Sequence, residues 1–174
     1  MPSLAAPSVE AVFGVMRQPS TALLHSAHGD RDPGATVDIT RLQPAGLVVS
    51  PAFSHVAIVP PGVTTIYVGG QNGIDAAGTI VSADIAEQSR QAVDNVATAL
   101  NAAGASLSDV VQWTVWIDAA ADLGDAYGAI APRLAGPGAP PLVTAARVAG
   151  LGVPGALIEV SAVAAVIPAS DRVP

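Results

Sequence analysis

The sequence predicts an α+β domain, and three observations carry the prediction. Six short segments have strand character and two have a helical period. One glycine-broken strand end, YVGGQNGIDAAGTIV over residues 67–81, runs directly into the longer helical pattern. The last strand-like segment is apolar on one face and carries a single carboxylate, Glu159, on the other. A chain of 174 residues favours one domain with a real core over two.

Residues 1–36 have no sustained period and read as a flexible extension, with a short helix over 8–16 as its one regular element. His25, His28, Asp30 and Asp32 fall in this segment, where nothing fixes a metal-ligand geometry; no metal is expected. Segments 37–42 and 54–59 read as strands. Pro60-Pro61-Gly62 is a turn, and 63–68 returns as a strand, giving an expected antiparallel hairpin with 54–59. Gly69-Gly70 breaks the third strand, and Asp75 with Gly78 marks a turn. Asp84 followed by Glu87 resembles a capping box. Ile85, Ala92, Val96, Ala99, Leu100 and Ala103 then recur at helical spacing until Gly104.

Residues 110–117 (VVQWTVWI) form a strand with Val111, Trp113, Val115 and Ile117 on one face; Trp116, on the other, is also expected to pack in the core. A weaker helix follows, with Leu123, Tyr127, Ile130 and Leu134 on one side, ended by Pro132 and the AGPGAPP loop. Strands over 142–148 and 157–167 complete the domain, which spans 37–168 with a tail over 169–174. The order β-β-β-α-β-α-β-β places both helices on one sheet face, and apolar residues on the opposite face argue for self-association.

Composition removes several chemistries. There is no cysteine, and all seven basic residues are arginines, so thiol nucleophiles, thiolate metal sites and lysine Schiff bases are excluded. A net charge of −7 with scattered arginines gives nucleic acid no basic patch. No apolar run is long enough to span a bilayer, and no basic segment precedes an apolar one at the start. The expectation is a cytoplasmic protein without a membrane or nucleic-acid partner and without a cofactor.

The passages YVGGQNGIDAAGTIV, EQSRQAVDNVATAL, AAGASLSDVVQWTVWI and VAGL…LIEVSAVAAV, in this order and spacing, resemble the Rid (YjgF-like) family of small imine/enamine deaminases. The resemblance implies a chorismate-mutase-like mixed sheet with two helices on one face. It also implies a homotrimer, with small-molecule clefts between subunits lined by the sheet face away from the helices. In that family a last-strand glutamate orients the hydrolytic water, and it matches Glu159. An arginine after the loop proline binds the substrate carboxylate; its place is taken here by Val143. The family's tyrosine near the start becomes Phe53, followed by Ser54 and His55. The serine before Gly-Gln becomes Gly69, and the second-helix asparagine falls on Tyr127. These departures set the chain apart from the branch that acts on amino-acid imines.

Imine hydrolysis needs a base beside the water and donors for the developing intermediate. Glu159 is the candidate catalytic base; the alternative is a structural carboxylate bonded across a subunit interface. Gly69, Gly70 and Gln71 could present backbone donors to a ligand, or simply break the strand. Arg147 shares the strand parity of Val143 and offers a displaced anion site, against the alternative of an interface ion pair, with Glu159 among its partners. Phe53, His55, Tyr127 and Val143 complete the candidate binding set. The chain is therefore expected to hydrolyse an imine or enamine that lacks the usual α-carboxylate or holds it through Arg147. The alternative is a non-catalytic trimer binding a metabolite or partner in the same clefts. The ribonuclease activity associated with the family is disfavoured by the acidity.

Overall fold

The computed structural model describes residues 37–136 and 138–168. The 1–36 extension, with its 8–16 helix and its His25, His28, Asp30 and Asp32, and the 169–174 tail lie outside the described residues. In chain order the elements are β1 (Thr40–Leu42), β2 (Val56–Ile58), β3 (Thr64–Asn72), α1 (Ile85–Ala102), a 3₁₀ turn (Leu107–Asp109), β4 (Val110–Asp118), α2 (Leu123–Leu134), β5 (Leu142–Val148) and β6 (Ile158–Val166). The element order matches that read from the sequence.

The pairing differs from the sequence expectation in one place. β2 does not form a hairpin with β3. It pairs antiparallel with β1 in a separate two-stranded sheet, Thr40 opposite Ile58. β3 instead joins a four-stranded sheet of order β3-β6-β4-β5, antiparallel except for the parallel β4–β5 pair. Pro60 and Pro61 supply no ladder donors. Val68 is buried because β3 lies beside the apolar β6.

α1 starts where the sequence places it. The Asp84 side chain accepts from Glu87 N at 2.9 Å, but the Glu87 carboxylate turns to Arg90 at 2.7 Å instead of back to the cap, so only half of a capping box forms. The helix ends at Ala102, and Gly104 takes φ +73°, a backbone that few other residues adopt. α2 is capped by Asp122 and runs through Pro132 to Leu134, so the loop and not the proline ends it. A proline in the last turn removes a single backbone bond.

Both helices cover one face of the four-stranded sheet. The core between them holds Trp113, Val115 and Ile117 of β4, Ile158 and Val160 of β6, and Val93, Val96 and Leu100 of α1. Trp113 is fully buried, with its indole N–H on the Leu134 carbonyl at 3.3 Å. Trp116 is a correction to the sequence reading: strand parity sends it to the opposite face, where it is only half-buried. None of the helices among the described residues is long and apolar enough to cross a membrane.

Candidate functional site

The site grows from an irregularity in the β3–β6 ladder. The strands pair in register from Thr64 opposite Val166 to Val68 opposite Ala162, then resume with Gln71 opposite Val160. Three steps along β3 thus match two along β6, and the extra residue is a bulge at Gly69-Gly70. Beyond it, Asn72 faces Glu159. The Glu159 side chain lies back over Gly70: a Cβ built there would stand 2.8 Å from its Cγ and closer still to its Cδ and Oε1. Only glycine leaves this space. Among the described residues the half-buried Glu159 carboxylate has no hydrogen-bond or ion-pair partner. A half-buried carboxylate left in this way retains its full capacity to accept from a ligand or water.

The end of β3 is held from the helix side. Asn72 donates to the Ile158 carbonyl at 2.8 Å, and Asn95 of α1 donates to the carbonyls of Asn72 and Ile74 at 3.0 and 2.9 Å. Gln88, fully buried, donates to Ser82 O and Gly155 O and accepts from Leu157 N at 2.8 Å. α1 therefore fixes the bulge and the start of β6 together. The reading by period passed over Gln88. Its signal was present, since it falls three after Ile85 and four before Ala92, a polar residue on the apolar stripe.

On the far face of the sheet Glu159 is paired with Trp116 of β4, whose neighbour on β5 is Ala146. Ser161, Thr114 and Thr144 form the next row, and Tyr67, Val163 and Gln112 the one after. Trp116 thus enters the site as a wall beside the carboxylate.

The other candidate residues lie elsewhere in the chain. Phe53 and His55 make an edge-to-face ring contact with centroids 5.4 Å apart. His55 Nε2 donates to Val48 O at 2.7 Å, which fixes that nitrogen as the protonated one. Between them Ser54 is buried, with its N–H on Pro141 O and its hydroxyl on Pro140 O at 2.7 Å, so residues 53–55 are tied to the start of β5. Val143 pairs with Trp113 and packs on the core, on the helix side. Tyr127 also packs against the core. Arg147 pairs with Ile117, on the same side as Val143, and its guanidinium donates to the carbonyls of Ala119 and Ala121. Within one chain the structure unites Gly69, Gly70, Gln71 and Glu159, and leaves Val143 and Arg147 on the opposite face.

No cluster of His, Asp and Glu able to hold a metal ion occurs among the described residues. Partial burial pushes the pKa of the Arg41 guanidinium below its ordinary value.

The comparisons with known proteins agree with this architecture. The family model described as Endoribonuclease L-PSP matches residues 45–166. The chain is 42% identical over 62 residues to the human 2-iminobutanoate/2-iminopropanoate deaminase, covering 35% of this chain and 43% of that protein. It is 47% identical over 53 residues to a RutC family protein of Pyrococcus abyssi, covering 30% and 42%. The chain thus spans half or less of the length of the curated relatives it matches. Among solved structures, a Rid-family protein of Yersinia pestis superimposes with a TM-score of 0.64 at 25% identity, over 75% of this chain and all of that one. A hypothetical protein of Giardia lamblia gives 0.52 at 27%, over 73% and 98%. The mixed sheet with two helices on one face, the bulge opposite the last-strand glutamate and the match over 45–166 have one reading: the chain belongs to the Endoribonuclease L-PSP family, that of the YjgF-like Rid proteins.

Proposed function

We propose that this protein is a small-molecule imine or enamine hydrolase, working as a homotrimer with its clefts between subunits. The observation that carries the reading is the Glu159 carboxylate lying over Gly70 at the β3 bulge, half-buried and without a partner among the described residues. A carboxylate so placed takes a proton from water as the oxygen attacks the C=N carbon, and returns it to nitrogen as the carbinolamine collapses to a carbonyl and ammonia. The deaminase names of the matched relatives support the same chemistry. A net charge of −7 argues against the nuclease activity in the family's description.

The test is hydrolysis of imines generated in situ by a flavin oxidase, with semicarbazide as the competing trap. Wild-type protein suppresses early semicarbazone formation, and Glu159→Gln lowers kcat/KM about 10²-fold or more, the usual scale for loss of a general base. A Glu159→Gln protein as active as wild type would remove Glu159 from the chemistry. The apolar Val143 at the place of the family's carboxylate-binding arginine favours a second reading, a non-catalytic metabolite-binding trimer. That reading predicts no suppression by wild type on any imine.

A further inference from the structure

We infer that the substrate is an imine without a carboxylate, derived from a primary amine and not from an amino acid, and bound as the iminium cation or its neutral form. This rests on the hydrolase reading above and names the class of molecule that the Glu159 site admits.

The first part of the argument is what surrounds the carboxylate. Glu159 and Trp116 are directly opposed on adjacent antiparallel strands and share a face, so their Cβ atoms stand about 5 Å apart. The flanking residues Ala146, Ser161, Thr114 and Thr144 carry no charge, and Asp118, two residues beyond Trp116 on β4, is a further carboxylate. A carboxylate attracts a cation by direct charge, and a neighbouring indole adds the attraction of its ring quadrupole where its face is presented. A protonated C=N group meets both. A carboxylate on the substrate would instead stand against Glu159, and among the described residues of the same chain no cation flanks Glu159 to offset the repulsion.

The second part is where the cations are. The chain has seven arginines and no lysine. Three of them, Arg17, Arg31 and Arg172, lie outside the described residues. Arg90 is paired with Glu87 and Arg133 with Asp94, each at 2.7 Å, on the helix side. Arg147 lies on the face of Ile117 and is taken up by two backbone carbonyls. Arg41 donates to Val110 O in a groove that also holds Asp38, Asp109 and Ala165. Ala165 is six residues from Glu159 along β6, about 20 Å at strand rise. The net charge of −7 adds a long-range term of the same sign, since it repels anionic substrates and draws cationic ones.

The reaction balances without a co-reactant. Water adds to the C=N carbon, its protons pass to nitrogen, the C–N bond breaks, and an aldehyde or ketone leaves with ammonia. The class of reaction that supplies such a substrate is oxidation of an amine.

A matched pair of substrates tests the inference. Phenylalanine with a flavin amino-acid oxidase gives the imino acid; phenethylamine with a flavin amine oxidase gives the imine lacking the carboxylate. Both run with semicarbazide, with wild-type protein and with Glu159→Gln. The expected result is kcat/KM higher for the amine-derived imine by about tenfold or more, the value of one charged hydrogen bond that the carboxylate fails to find. Equal rates, or a preference for the imino acid, would overturn the inference and leave the hydrolase reading standing. Acceleration of neither imine would bring down the hydrolase reading and the inference with it; acceleration by Glu159→Gln as great as by wild type would remove Glu159 from the chemistry and overturn the inference, which is built on it.

Discussion

At the scale of single residues, Gly70 positions Glu159 without touching the reaction itself. The atoms that a new Cβ would meet are Cγ, Cδ and Oε1 of one glutamate, the far end of a flexible side chain. Gly70→Ala therefore moves the carboxylate and leaves the backbone where it is. Unfolding free energy should change by no more than about 1 kcal/mol, because the displaced group can rotate toward the open outer face. Activity should fall much further, by about 10²-fold, since a base displaced by an ångström no longer reaches its water. Urea unfolding and imine hydrolysis measured on one preparation separate the two effects. Equal, large losses in both would show that Gly70 serves only the fold. His55 offers a different lesson: with Nε2 donating to Val48 O, it braces the loop before β2.

At the scale of elements, the strain-free approach of α1 to the end of β3 depends on Gly73. A Cβ there would stand 2.6 Å from the Gln88 Cα, which is helix backbone and cannot rotate away. Gly73→Ala must push α1 off the sheet and loosen the three hydrogen bonds of buried Gln88, a cost of about 2–3 kcal/mol. Chemical denaturation checks it, and a loss under 0.5 kcal/mol, roughly the noise for a surface change, would show that the helix yields freely. The contrast between Gly70 and Gly73 also marks how far the sequence alone reaches. Periodicity locates α1, α2, β4, β5 and β6, because each buries a face whose period is its own signature: Ile85 to Leu100 for one helix, Val111 to Ile117 for the central strand. It mispairs β2, whose three residues are too few and too exposed to carry a partner preference. It also places Trp116 in the core on size, against the alternation that puts Trp113 there. For the candidate site, the isolated carboxylate in an apolar strand singles out Glu159 as the proposed base. The match of Glu159 to Gly70 depends on a bulge, and a one-residue slip in register leaves no local pattern.

At the scale of the whole molecule, much of the sheet face opposite the helices lacks a covering layer among the described residues. Trp116 and Val163 are half-buried there, and Tyr67, on the same row as Val163, is 78% exposed. Val49, in the loop between β1 and β2, is exposed to the same extent. Side chains of this kind on a β-face are stable in water when another copy covers them. A charge at the centre of that face tests the point. Val163 sits between Tyr67 of β3 and Gln112 of β4, so Val163→Asp places one carboxylate per subunit in the proposed interface, where each unpaired ion costs several kcal/mol to desolvate. Wild-type protein should scatter light with three times the chain mass. The variant should run as a monomer with unchanged far-ultraviolet dichroism, since Val163 lies outside the helix-side core. Imine hydrolysis should disappear with the trimer, because the proposed clefts lie between subunits. A monomeric wild type would overturn the assembly, and an active monomeric variant would place the whole site within one chain.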